Sequence, residues 1–285
     1  MRVGFHISIG DGFVEAARKA RILGCRTMQI FTRNPRGWAA PRAIDQAEAA
    51  AFRADLLGYG IDPLVVHMPY LPNFASPDEA LYARSVASLS AELVRAGQLG
   101  ASYLVLHVGH RGRLSEEEAF ARVAAAINRA CRTVSGAPMV LLENTAGQGT
   151  EIGSRFSHLA RIMAMVEDRD RIGLCLDTAH AWGAGYDMAT ATSLDETVEE
   201  FNRLLGRDRL RLIHLNDAKA PRGAAVDRHE HIGRGLIGRA GIRLLLNHPQ
   251  LSSLPFIMET PKKSKRDDRN NMKAVKALMT KKAAR

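Results

Sequence analysis

Nine residues of this chain are of types that hold metal ions, and their spacing suits that chemistry. His67, His107, Glu143, Asp177, His180, His214, Asp227, His229 and Glu259 stand at or just beyond the ends of short apolar runs, LVVH, LVLH, VLLE, LCLD, LIHL and FIME. A lone histidine in such a place is usually an ordinary hydrogen-bonded residue. A carboxylate there is costly to bury unless paired or coordinated. Six such groups at corresponding points of successive repeats call for a shared purpose. Five imidazoles and four carboxylates, with no thiolate, suit zinc, and also manganese, better than an all-oxygen magnesium site. Nine donors exceed the four that one tetrahedral zinc takes, so the count fits three ions bridged by carboxylates. Glu143 is suited to bridge, because its two oxygens can serve adjacent cations, and Glu259 to orient a nucleophile. Close-set cations lower the pKa of water and neutralise charge building on a phosphoryl group. Phosphodiester hydrolysis is the chemistry such a set would serve, with no serine nucleophile required.

Two short spacings tighten this reading. Asp177 and His180 lie three apart where a strand gives way to a turn, so a short loop can bring both to one cavity. In Asp227-Arg228-His229 an extended backbone would point the first and third side chains the same way and leave Arg228 facing elsewhere, able to meet a phosphate.

The elements that must position these groups read as a repeat. Strands are expected near residues 3–9, 26–31, 62–67, 102–107, 138–143, 172–177, 210–215 and 255–259. Helices are expected near 13–23, 42–58, 77–98, 115–135, 154–167, 194–205, 236–247 and 268–282. The groups closing successive runs are 34 to 45 positions apart, about one strand–helix–strand unit with its loops. Ser76-Pro77-Asp78-Glu79 places proline and acids in a first helical turn, and Ser115-Glu116-Glu117-Glu118 has the form of a capping box. Eight strands alternating with eight helices predict an α/β fold, a TIM (β/α)8 barrel with the metal site at the carboxyl ends of its strands. A Rossmann glycine fingerprint and a phosphate-binding Walker sequence are absent from the right strand–helix context.

With 285 residues, and with 24 glycines and 11 prolines dispersed rather than gathered into a linker, one domain over 1–285 is expected. The formal charge of +10, from 40 basic against 30 acidic residues, suits a polyanionic partner without identifying one. Cys25, Cys131 and Cys175 are odd in number and lack CxxC spacing, which fits reduced, buried thiols. MRVGFHISIGDG enters a strand at once rather than an export segment, and no stretch approaches the roughly 20 apolar residues of a membrane span. Cytoplasmic residence, without a membrane partner, is the expectation.

Longer segments then carry a resemblance. GFHISIGDG, QIFTRNPRGW, LLENTAGQG, LDTAHAWGAGYD, HLNDAKAPRGAAVDRHEHIGRGLIG and FIMETP, in this order and spacing, resemble the bacterial-type endonuclease IV family of zinc-dependent apurinic/apyrimidinic endonucleases, over essentially the whole chain. The resemblance implies a TIM barrel acting as a monomer on damaged double-stranded DNA, associated with the nucleoid when at work. It implies three zinc ions: one held by His67, His107 and Glu143; a second by Glu143, Asp177, His214 and Glu259; a third by His180, Asp227 and His229. It implies cleavage 5′ to an abasic site, leaving a 3′ hydroxyl and a 5′ deoxyribose phosphate, and removal of 3′-phosphate and 3′-phosphoglycolate blocks. Tyr70 and Leu71 match the family's wedge, which replaces stacking lost when a nucleotide is flipped, and Arg36 matches its other groove-inserting side chain. Lys262, Lys263, Lys265 and Arg266 could reach DNA phosphate or form only a solvated face. Two departures from the family's pattern, Met68-Pro69 before the wedge and His110 in the loop after His107, bear on loop shape and damage preference and leave the nine ligands intact. The competing readings are a sugar isomerase on the same broad barrel and a nonhydrolytic binder of DNA lesions.

Overall fold

In the computed structural model of the protein, which describes residues 1–134, 136 and 138–280, the chain alternates strand and helix. The strands are β1 (Arg2–Phe5), β2 (Met28–Ile30), β3 (Leu64–His67), β4 (Tyr103–His107), β5 (Met139–Glu143), β6 (Ile172–Asp177), β7 (Leu210–His214), the short β8 (Asp217–Ala218) and β9 (His229–Glu230), and β10 (Pro255–Met258). Eight of them form one parallel sheet in the order β1-β10-β7-β6-β5-β4-β3-β2, while β8 and β9 make a small antiparallel ribbon beyond the end of β7.

The sheet closes on itself where β1 meets β2. The amide of Arg26 donates to Val3 O at 2.9 Å, that of Ile7 to Gln29 O at 2.7 Å, and His6 bridges Gln29 in parallel. The two backbones come so near that a Cβ on Gly4 would stand 1.7 Å from Thr27 O, so only glycine fits at this seam.

Around the barrel run α1 (Phe13–Leu23), α2 (Gln46–Tyr59), α3 (Glu79–Gln98), α4 (Glu116–Thr133), α5 (Phe156–Ala164), α6 (Thr178–Gly183), α7 (Ala191–Leu205), α8 (Gly238–Asn247) and α9 (Asp267–Leu278). Their starts follow local chemistry. Asp45, Asp78, Ser115 and Thr190 each accept an orphan amide of the first turn, and Ser115 with Glu118 completes the expected capping box.

Several boundaries differ from expectation. The first strand ends at Phe5 with a single bridge at His6, because Ser8 to Gly12 turn: Gly10 N donates to Ser8 Oγ and Gly12 N to Ile9 O. The third helix starts after Asp78, since that carboxylate accepts Leu81 N at 2.7 Å, and Ser76 and Pro77 precede the cap. α6 is an element the sequence pattern did not suggest. The expected helical ends at 135 and 281–282 lie outside the described residues.

Alternation along the strands makes two apolar bodies. Residues such as Val66, Leu104, Leu106, Leu142 and Leu174 belong to the large core shared with the helices. Val65, Val105, Leu141, Cys175, Leu212 and Ile257 form a separate cluster inside the barrel. Two residues further along each of these six strands, the chain changes character.

Candidate metal centre and nucleic-acid face

The residues two positions on from that inner cluster are His67, His107, Glu143, Asp177, His214 and Glu259. The step of two keeps them on the inside of the barrel, at the strands' carboxyl ends. Donor atoms of His67, His107 and Glu143 lie within 4.8 Å of one another, as do those of Glu143, Asp177, His214 and Glu259, and those of Asp177, His180 and His229.

Glu143 is fully buried at the middle. Its Oε2 is 3.2 Å from His67 Nε2 and 3.1 Å from His107 Nε2, and its Oε1 is 2.9 Å from His214 Nδ1 and 3.2 Å from His180 Nδ1. Asp227 reaches in from the loop before β9, its Oδ1 3.4 Å from His180 Nε2 and 3.2 Å from His229 Nε2. All nine residues singled out from the sequence therefore converge. One placement is richer than expected: Asp177 borders the third group as well as the second, with Oδ2 3.8 Å from both His229 Nε2 and His214 Nδ1. Asp177 also caps α6, accepting His180 N at 2.8 Å, so the DTAH segment is a short helix rather than a turn.

The donor set fits metal ions. An imidazole ligand needs one nitrogen bare toward the metal and the other held by an acceptor. His67 Nδ1 donates to Met68 O at 2.6 Å, His180 Nδ1 to Asn144 O at 2.9 Å, and His229 Nδ1 to Glu259 O at 3.1 Å. Each of these rings is thereby left with Nε2 facing the carboxylates, and His229 Nε2 is buried without a hydrogen-bond partner among the described residues.

In the metal-free chain the charges oppose burial. Burial pushes the Glu143 carboxyl up, yet His214, His107 and His180 together hold it well below the usual carboxylate range. Burial lowers His180 and His229, but the facing carboxylates Asp177 and Asp227 win, lifting His180 well above its ordinary value and His229 to about 9. Protons thus occupy places where cations would sit, and metal binding must displace them.

Neighbouring polar groups that the sequence reading did not single out hold this arrangement. Asn144 accepts Asp177 N at 2.7 Å, and Asn216 donates to Asp177 Oδ2 at 2.6 Å while accepting Glu259 N at 2.8 Å. Asp217 accepts the amides of Gly235, Ile237 and Gly238, fastening the far end of the loop that carries Asp227 and His229. Gln29 contacts both His214 and Glu259. Its signal was legible as a lone amide between Met28 and Ile30 on a strand.

A cavity of roughly 1070 Å³ opens from the cluster, with His6, Phe31, Arg36, Tyr70, Glu259 and Lys262 among its walls. Tyr70 (59% exposed), Leu71 (37% exposed) and exposed Arg36 stand together at its rim and its approach. Their loops are tied, since Tyr70 N donates to Pro35 O at 3.0 Å. Beneath Arg36, the buried Glu92 of α3 takes Thr32 Oγ1 at 2.6 Å and pairs with Arg33 Nε at 2.7 Å, while Arg95 donates to Thr32 O. Arg228 is exposed and lines the same cavity, whereas Lys262 donates to His6 O and pairs with Asp268.

The two departures now have places. Met68 is a core residue whose backbone oxygen anchors His67, an anchor that does not depend on its side chain. His110 is exposed, and its backbone is clasped by Asn73, whose Oδ1 would lie 2.2 Å from any Cβ on Gly109.

The comparisons with known proteins agree with this geometry. Residues 17–281 match the xylose isomerase-like TIM barrel family. A probable endonuclease 4 from Methanoculleus marisnigri is 46% identical over 277 residues, covering 97% of this chain and 98% of that protein. One from Chloroflexus aggregans is 42% identical over 280 residues, covering 98% of each. The crystal structure of endonuclease IV from Thermus thermophilus superposes with a TM-score of 0.87 at 37% identity, over 98% of both chains. A D-tagatose 3-epimerase-like protein shares the fold with a TM-score of 0.71 but only 18% identity. Xylose isomerase-like in its barrel, and matched over nearly its whole length by these relatives, this chain belongs to the endonuclease IV family.

Proposed function

We propose that this protein is a DNA-repair endonuclease that hydrolyses the phosphodiester bond 5′ to abasic sites in duplex DNA, leaving a 3′ hydroxyl and a 5′ deoxyribose phosphate, and that it also clears 3′-phosphate and 3′-phosphoglycolate blocks. The observation that carries this is the convergence of nine donors beneath a rim bearing Arg36 and Tyr70, with exposed Leu71 next to Tyr70 in the chain. In this reading His67, His107 and Glu143 hold one zinc, Glu143, Asp177, His214 and Glu259 a second, and His180, Asp227 and His229 a third. When bound, the three ions acidify water and neutralise charge on the phosphate.

The chain's own groups do the rest. Tyr70 and Leu71 enter the duplex and replace stacking where a base is missing, which lowers the cost of turning the sugar outward. Arg36 takes the other side of the groove, held by the loop that Glu92 fastens. Glu259 faces the cavity; burial pushes its carboxyl up, but the pull of His214 holds it below the usual range, so it is ionised and orients the attacking water. The fold is shared with sugar-converting barrels, but a rim of exposed aromatic, apolar and cationic side chains suits a nucleic acid better than a small sugar.

The test is incision of a labelled duplex containing one abasic-site analogue by purified, metal-quantified protein, with and without a strong chelator. A chelator-sensitive cut on the 5′ side with an extendable 3′ hydroxyl is the expected result. Intact duplex after incubation with fully zinc-loaded protein would overturn the reading, and turnover of a sugar instead would point to an isomerase.

A further inference from the structure

Three of the four imidazoles whose outer nitrogen has an identified acceptor are held by backbone oxygens, those of Met68, Asn144 and Glu259. His214 is the exception. Its Nε2 lies 2.8 Å from Oε1 of Gln29, a side chain on the three-residue strand β2, 185 positions earlier in the chain and fully buried. The same amide has its Nε2 2.6 Å from Glu259 Oε1 and 2.9 Å from His6 Nδ1.

The polarity of these contacts leaves one arrangement. An ionised carboxylate only accepts, so the NH2 of Gln29 must face Glu259, with its second hydrogen for His6 Nδ1. The amide oxygen then faces His214, whose Nε2 must carry the hydrogen. Nδ1 is then the nitrogen His214 has to offer a metal ion, and it is aimed at Glu143 Oε1 (2.9 Å), Glu259 Oε2 (3.5 Å) and Asp177 Oδ2 (3.8 Å), the other three residues grouped around the second candidate metal position.

We infer that Gln29 is a positioning residue of this centre: one amide sets the tautomer of His214 and the carboxylate orientation of Glu259 at once. The inference rests on the zinc reading above and adds a residue to it. It also makes this position the vulnerable one. A substitution cannot remove the backbone acceptors behind His67, His180 and His229, but it can remove the one behind His214.

Two variants separate the halves of the role. Gln29→Glu keeps an acceptor for His214 Nε2–H but replaces the donor to Glu259 with an anion. Gln29→Met has similar length and neither function. Metal content after dialysis against a graded competing chelator, and separate kcat and KM on the abasic duplex, are the readouts. Second-sphere partners of metal ligands are worth about 10–100-fold in metal affinity or activity. For Gln29→Met we expect one of three zinc ions to be lost at about 10–100-fold lower chelator than in the parent. For Gln29→Glu we expect zinc to be retained while kcat falls at least about tenfold with KM little changed.

Parent-like zinc retention and kcat in Gln29→Met would overturn the inference. If that variant does not fold, Gln29→Glu decides alone, and parent-like kcat in it overturns the role at Glu259. Failure of the zinc reading looks different: the parent itself would carry no zinc and leave the abasic duplex uncut.

Discussion

Two layers inside one barrel are built on the same six strands, two residues apart. In the lower layer Val65, Val105, Leu141, Cys175, Leu212 and Ile257 meet as a buried apolar cluster. In the upper layer His67, His107, Glu143, Asp177, His214 and Glu259 meet as a charged one, with four of the six buried to within a few per cent. The strands are shared, so the layers differ in side-chain chemistry and in the cavity that opens above the second one. The lower layer gains from leaving water, about 1.5–3 kcal/mol for each large aliphatic side chain. The upper layer gathers carboxylates and imidazoles whose burial is unfavourable unless each charge meets its opposite or a metal. The apolar layer is thus the floor on which a costly site can stand, and the two should fail in different ways.

The largest expected effect is in the upper layer. Glu259→Gln changes charge with little change in volume, so fold and duplex binding should persist while incision falls about 10²–10³-fold, the scale for losing one positioned electrostatic group. Single-turnover cleavage beside equilibrium DNA binding checks it, and equal cleavage by metal-loaded variant and parent would remove Glu259 from catalysis. One layer down on β5, two residues before Glu143, Leu141→Ala should do the reverse. It should cost about 3 kcal/mol of stability through the cavity left behind, read as a lower denaturant midpoint, with incision per folded molecule retained. A variant that stayed stable but stopped cutting would erase the distinction between the layers. The smallest effect is expected outside the barrel, at the rim. Tyr70→Ala should weaken binding to an abasic duplex by about 1–2 kcal/mol, the worth of one stacked aromatic, without changing zinc content; unchanged binding and cleavage would count against the wedge.

Both layers are partly legible in the amino-acid sequence. Apolar runs ending in His, Glu or Asp at near-regular spacing announce the barrel and its upper layer, because side-chain direction along a strand is a local property. The fine adjustments are not legible in the same way. Helix α6 is hidden because its cap is Asp177, a residue that already reads as a ligand, and because six residues are too few to show a helical period. Asn144 and Asn216 look like loop asparagines, since nothing local shows that both reach Asp177. Asp177 itself is expected in one donor group and stands in two. The Arg36 loop can be named from its motif, but not the buried Glu92 that fastens its base from 60 positions away.

What the sequence by itself determined is which residue types close which strands and that they share one face, since alternation and capping act over a few residues. Only the tertiary structure decided which nitrogen of each histidine looks inward and which carboxylate it meets. Those outcomes depend on barrel closure, which brings Gln29 into hydrogen-bond contact with Glu259, 230 positions away. Hydrogen bonds between such distant residues have no local signature, because their geometry exists only after the chain has folded.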